Sequence, residues 1–158
     1  MMEGIQTYLS QTGASAAICA SDIKDRGYEN NMINSLQYGK DFLMDDYEDI
    51  LPIEIDYIIM NPPYSLIEPF VMKSLSIAEK GILMLGRLQF LEGKGRYENI
   101  LKDNPPTDIY VYVDRIKCYK NGDESDTTSS AQAYAWFYWN LEEMNSHKPY
   151  IHWIRRAE

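Results

Sequence analysis

Hydrophobic and polar positions follow two distinct periods along this chain. Near the amino terminus, Ile5, Tyr8 and Leu9 fall at helical spacing within Met1 to Ser10, and Gln11-Thr12-Gly13 supplies a stop with a glycine suited to C′. The small apolar run Ala16 to Ala20 reads as a strand that passes into Ser21-Asp22-Ile23. Lys24 to Gln37 has no clean period and is expected to be mostly loop, and Asp45 to Asp49 is a solvated acidic face on a short helix or turn. Tyr57 to Met60 is β-branched, aromatic or large and apolar, as expected of a strand buried on both faces of a parallel sheet.

Further on, Ser65 to Lys80 places Ile67, Val71, Leu75 and Ala78 on one helical face, with Pro69 tolerable in the first turn and Gly81 as terminator. Ile82 to Leu85 is the next strand. Leu88 to Glu92 is apolar and leads into Gly93-Lys94-Gly95-Arg96, a mobile basic patch. Tyr97 to Leu101 reads as a helix ended by Pro105-Pro106, and Asp108 to Arg115 alternates with period two. Tyr119 to Ser130 is expected to be a mobile loop. Ala131 to Trp139 is an aromatic strand, and Tyr150 to Ile154 a short edge strand. This order predicts an α/β sheet whose strands at Asp108 and Ala131, joined by a loop, run antiparallel to one another.

The strand from Tyr57 stops at Asn61-Pro62-Pro63-Tyr64. Each proline lacks an N–H and fixes φ, so the chain leaves the sheet stiffly, with the Asn61 side chain and nearby carbonyls at the strand's carboxyl end. In open α/β sheets that edge is where ligands bind. An Asn oxygen and a prolyl carbonyl can together accept both hydrogens of a planar amino group. That draws the nitrogen lone pair out of conjugation, making an exocyclic amine or amide nucleophilic, while Tyr64 can stack on the ring that carries it. An ordinary Asn-Pro-Pro turn fits the tetrapeptide equally well. Asp22, at the tip of a strand, suits the two hydroxyls of a ribose, although a surface Asp after a strand is common. Asp41 could accept from an adenine amino group with Phe42 against the purine, or be a loop acid beside two core residues.

The 158 residues are enough for a real core, and a hydrophobic content of 45% with 13 tyrosines excludes a disordered chain. No basic segment precedes an apolar run and no apolar stretch approaches the length of a membrane span, so the chain is expected to be soluble and neither exported nor membrane-inserted. Cys19 and Cys118 lack metal or redox spacing, and with only His147 and His152 as histidines no metal site is expected. A reducing cytoplasmic setting fits. The net charge of −9 is unfavourable for a nucleic-acid partner, but it is unevenly spread. From Asp22 to Asp56 ten acids face three bases, whereas from Arg87 to Lys120 seven bases outnumber five acids. A mildly basic half could face a polyanion; a generally acidic protein fits the composition as well.

In order, Ser21-Asp22-Ile23, Asp41-Phe42-Leu43, Asn61-Pro62-Pro63-Tyr64, Arg87-Leu88-Gln89-Phe90-Leu91-Glu92-Gly93 and Ala135-Trp136-Phe137 resemble phage-type amino methyltransferases. These are S-adenosylmethionine-dependent enzymes acting on exocyclic amines, chiefly adenine N6 in DNA. The resemblance runs from about Gly4 to Trp139. It implies one Rossmann-like methyltransferase domain over residues 1–158, with a mostly parallel sheet and an antiparallel C-terminal strand. It further implies S-adenosylmethionine as cofactor, DNA as a possible partner and the cytoplasm of a bacterial host. Position by position, Asp22 resembles the ribose-binding acid, Asp41 and Phe42 the pair around the cofactor adenine, and Asn61, Pro62, Pro63 and Tyr64 the catalytic motif, with Tyr64 stacking on a flipped base.

The family places an apolar first strand and a glycine-rich loop ahead of the helix at Met1 to Ser10. Only 21 residues precede Asp22 here, and they hold Gly4 and Gly13 but no such unit. The expectation is therefore a sheet without the family's first strand, with weak or absent cofactor binding. The gap would be closed directly, by a homo-oligomer, or by a second chain. A catalytically inactive remnant that binds a protein or nucleic acid is the alternative function, and a protein glutamine amide or RNA the alternative substrate.

Overall fold

In a computed structural model of the protein, residues 2–25, 27, 33–46, 54–114, 116, 132–143 and 149–155 are described. They fall into two compact units, Met1–Ile53 and Glu54–Glu158. The expected loop at Tyr119 to Ser130, most of the acidic face at Asp45 to Asp49, Cys118 and His147 lie outside the described residues.

The first unit begins with helix α1, Met2–Thr12. Gly13 closes it with φ 68°, donating its N–H to the Leu9 carbonyl at 3.0 Å, as a C′ glycine should. Strands β1, Cys19–Asp22, and β2, Ser35–Tyr38, form a two-stranded parallel sheet in which Asp22 pairs with Tyr38. β2 corrects the loop expected over Lys24 to Gln37. Its four residues alternate too briefly to register as a period, and parallel pairing to β1 rather than local pattern defines it.

The second unit is an α/β structure built on a five-stranded mixed sheet of order β3-β4-β6-β5-β7. Its strands are β3 Ile55–Met60, β4 Ala78–Arg87, β5 Asp108–Tyr112, β6 Tyr134–Asn140 and β7 Tyr150–Ile154. β3 is parallel to β4, β6 is antiparallel to both β4 and β5, and β7 is parallel to β5. The antiparallel relation of β5 and β6 follows the expectation. Helix α2, Ile67–Ile77, crosses from β3 to β4, and Pro69 sits in its first turn, where a missing N–H costs nothing.

One face of this sheet carries Met60, Ile82, Met84, Ile109, Ala135, Phe137 and Trp139 against Ile67 and Val71 of α2, Phe90 and Ile100. Phe90 meets Phe137 and Trp139 edge-on, with ring centroids 5.0 and 6.1 Å apart. Each such fully buried side chain stabilises the fold by about 1.5–3 kcal/mol. The buried face of α2 includes Ser74 rather than the expected Leu75, which is only half-buried; the Ser74 hydroxyl donates to Met60 Sδ at 3.5 Å. Thr107 locks three strands together. Its N–H and hydroxyl both donate to the Tyr138 carbonyl, its hydroxyl accepts from Asn140 N–H, and its carbonyl accepts from Tyr150 N–H.

Two expectations are corrected. β3 is an edge strand, and Tyr57 and Ile59 on its second face are 50% and 37% exposed, so an apolar run does not here mean burial on both faces. Gly81 does not terminate α2; the helix ends when Ala78 turns extended at φ −82°, ψ 138°. Gly81 lies inside β4, at an irregularity where Ile55 faces Ala78 but Tyr57 faces Gly81. A Cβ there would stand 2.9 Å from Tyr138 Cε2, 3.1 Å from the Trp139 carbonyl and 3.1 Å from Tyr57 Cε1. Two tyrosine rings thus close over a position that has no side chain.

Gly81→Ala should lower the unfolding free energy in urea by about 1–3 kcal/mol through overpacking. Gly95→Ala, with open space around it and no positive φ, should change it by less than about 1 kcal/mol and in the stabilising direction. A second outcome concerns pH. Burial raises the phenol pKa of Tyr138 and Tyr110 above the usual tyrosine value, with neighbouring negative charge, Asp108 among it, adding to the rise. Above about pH 10 the unfolded chain ionises first and binds fewer protons than the native state, so stability is lost as pH rises. Tyr138→Phe should flatten that alkaline loss in melts compared between pH 8 and 11.

Candidate functional site

β3 ends at Met60, whose side chain is buried in the core, and the next residue is already outside. Asn61 is exposed, and its side chain has no hydrogen-bond partner among the described residues. Pro62 is buried and anchors the turn; Pro63 is exposed at φ −55°, ψ 137°. The Pro63 carbonyl accepts the Leu66 N–H at 2.8 Å and so initiates a short 3₁₀ turn, Tyr64–Leu66, that leads into α2. The Pro62 carbonyl follows the Asn61 side chain directly in the chain. Two acceptors at a strand tip can take both hydrogens of a planar –NH2 group.

Tyr64 is 41% exposed. Its ring is covered by cations: the Arg87 guanidinium lies 5.0 Å and the Arg96 guanidinium 5.6 Å from its centroid. Contacts of this kind contribute roughly 0.5–1 kcal/mol each where water reaches them. The two arginines are held in different ways. Arg96 donates from one terminal nitrogen to the carbonyls of Gln89, Phe90 and Glu92, at 2.7, 3.3 and 3.0 Å. Those carbonyls belong to the 3₁₀ turn Leu88–Leu91 and the residue after it, where helical bonding runs out. Arg96 Nε lies 3.8 Å from Glu68 in the first turn of α2, and the other Glu68 oxygen accepts from Asn99 at 3.0 Å.

Arg96 therefore ties the segment after β4, the start of α2 and the π-helical turn Tyr97–Leu101 into one support beneath Tyr64. This corrects the expectation of a mobile basic patch, because the guanidinium is anchored on three carbonyls, one of which, that of Gln89, also accepts the Glu92 N–H at 3.2 Å. Nothing in the composition of Gly93-Lys94-Gly95-Arg96 distinguished Arg96 from Lys94. The available signal was a basic residue just beyond a short helical turn, a position that favours cations. The guanidinium of Arg87, a residue at the end of β4, has neither a carboxylate nor a hydrogen-bond partner among the described residues, and it lies on the Tyr64 ring.

In the first unit, β1 and β2 run parallel, so Asp22 at the end of β1 and Asp41, three residues past β2, share the carboxyl edge of that sheet. The Asp22 Oδ1 accepts Lys24 N–H at 2.9 Å. Asp41 Oδ1 accepts Leu43 N–H at 2.9 Å, while the Asp41 carbonyl accepts from Met44 and Asp45. Each acid thus caps a local turn. Phe42 is half-buried beside Asp41. Among the described residues, no cluster of three or more His, Cys, Asp and Glu side chains could hold a metal, and no helix is long and apolar enough to cross a membrane.

Arg96→Lys keeps the charge but loses the planar fork. It should reduce the unfolding free energy by about 1–3 kcal/mol and speed proteolysis of the segment after β4, measured against Lys94→Ala, which should change stability by no more than about 0.5 kcal/mol.

No protein-family model matches the sequence, and no curated protein matches it.

Proposed function

We propose that this chain is an S-adenosylmethionine-dependent amino methyltransferase-like protein whose substrate is an exocyclic amine on a planar ring, DNA adenine N6 first among the candidates. The observation that carries the proposal is the end of β3: an exposed Asn61 with no hydrogen-bond partner among the described residues, next in sequence to the two prolines and followed by an exposed aromatic ring. Asn61 and Pro62 would accept the two amine hydrogens, orient the nitrogen lone pair and raise its nucleophilicity. Tyr64 would fix the plane of the ring. Holding the reacting nitrogen in one geometry is the main source of rate in such a site.

Bound S-adenosylmethionine would supply an electrophilic methyl group. The residues present fit its nucleoside half: Asp22 would accept from the ribose hydroxyls, and Asp41 with Phe42 would hold the adenine. Within its own sheet β3 is an edge strand, and among the described residues β1 pairs only with β2. A second reading, a methyltransferase-like scaffold that binds a partner without transferring a methyl group, draws support from the turn-capping bonds already made by both acids. A protein amide or RNA in place of DNA would use the same two acceptors.

Calorimetric titration of the purified chain with S-adenosylmethionine and its demethylated product tests the proposal. Micromolar binding, weakened at least about tenfold by Asp22→Ala, agrees with it; no heat at millimolar ligand removes the enzymatic reading and leaves the scaffold. Where binding is found, labelled methyl transfer to DNA, RNA and protein is the next assay. Asn61→Ala should lower transfer by about 100-fold or more with stability changed by less than about 0.5 kcal/mol. Unaltered transfer would remove Asn61 from the site.

A further inference from the structure

Arg87 occupies the ring that the proposed reaction needs. Its guanidinium sits 5.0 Å from the centroid of the Tyr64 ring, a contact in which the cation faces the π-system. A substrate ring stacking on Tyr64 requires that same kind of surface. Arg96 is also near the ring, yet it is fixed by three carbonyls and cannot leave without undoing the support beneath the site. Arg87 has no such ties among the described residues. Among the described residues no carboxylate pairs with it. The register of β3 and β4, with Met60 opposite Met84, carries Arg87 to the level of the proline turn.

From this arrangement, and resting on the amine-binding reading of Asn61 and Tyr64, we infer that Arg87 is an exchange residue. In the free protein it is parked on Tyr64. An entering nucleobase takes its place on the ring, and the released guanidinium pairs with a phosphate of the same nucleic-acid strand. One move couples base entry to backbone capture, so the site is built for a base that is part of a polyanion. A protein amide offers neither a ring to displace Arg87 nor a phosphate to receive it. Arg87 is a positioning residue, acting through Tyr64 and the backbone rather than on the reacting nitrogen.

The test uses single-stranded oligonucleotides of one adenine among thymines, and the same strands with an abasic residue in place of the adenine, each made as DNA and as RNA. Binding to the full chain is followed by fluorescence anisotropy across a range of salt concentrations. With the adenine present, Arg87→Ala should reduce the slope of log K against log salt by about 0.7, one phosphate on a single strand, while Arg87→Lys keeps it. With the abasic strand no ring enters, and wild type and Arg87→Ala should give the same slope. The DNA and RNA arms identify which strand is captured.

A slope reduced equally on both strands would make Arg87 a plain phosphate contact and overturn the exchange, as would a slope that Arg87→Ala leaves unchanged on the adenine strand. In both cases the reading of Asn61 and Tyr64 survives, because the wild type still binds the adenine strand more tightly than the abasic one and Tyr64→Ala still removes that preference. Absence of oligonucleotide binding by the wild type at low salt overturns the nucleobase reading and the exchange together. Methyl transfer to protein alone, by a chain that binds no oligonucleotide, does the same. Thermal melts of Arg87→Ala and Arg87→Lys confirm that both variants are folded before their slopes are compared.

Discussion

Strand β6 holds the larger unit together. It lies between β4 and β5, antiparallel to both, and its inward residues Ala135, Phe137 and Trp139 are fully buried. The size sequence from small to large along that strand leaves room for Met84 and Gly86 at one end and lets Phe90 wedge against two rings at the other. Removing β6 would separate the β3–α2–β4 crossover from the β5–β7 pair, since Thr107 reaches its partners through the Tyr138 carbonyl and the Asn140 N–H. The tip of β3 is thus positioned from the far side of the sheet, through β4.

Above this core the site rests on a division of labour among cations. Arg96 donates to three carbonyls in and just after the turn Leu88–Leu91, and its removal would take a charged donor from each of them. Arg87 has no such debt to the fold. Charge-assisted bonds to backbone carbonyls are among the stronger polar contacts a protein makes, whereas an exposed cation on an aromatic ring is weak and easily exchanged. Two guanidiniums 5.0 and 5.6 Å from the centroid of one ring therefore differ widely in what they resist.

Much of the architecture could be read from period alone. The amino-terminal helix with its glycine cap, the crossover helix with Pro69 in its first turn, and the presence of β5, β6 and β7 carry local signals, because helical spacing and period-two alternation report which side of an element is wet; the antiparallel relation of β5 and β6 follows from the loop that joins them, while the parallel pairing of β7 with β5 had no local signal. What was missed depended on partners distant in sequence. β2 is four residues long and defined by pairing. Gly81 reads as a helix stop, but its lack of a side chain serves two tyrosine rings, one of them 57 residues further on in sequence. Ser74 reads as polar and is buried, because a small residue lets α2 approach Met60. The end of β3 was legible from the prolines of Asn61-Pro62-Pro63-Tyr64; that the Pro63 carbonyl accepts within a turn, and that two arginines cover Tyr64, depends on contacts no local pattern announces.

The exposure of Asn61 has an evolutionary consequence. Pro62, Arg96 and Thr107 are held in place by the fold itself, and any lineage that needs the protein intact must keep residues that do their work. The Asn61 side chain is exposed and has no hydrogen-bond partner among the described residues. Purifying selection for stability has no grip on that position, so under drift it would wander freely among polar residues unless binding were also under selection. In related chains, the variability at this position compared with that at Pro62 would separate lineages that retain the chemistry from lineages that retain only the shape.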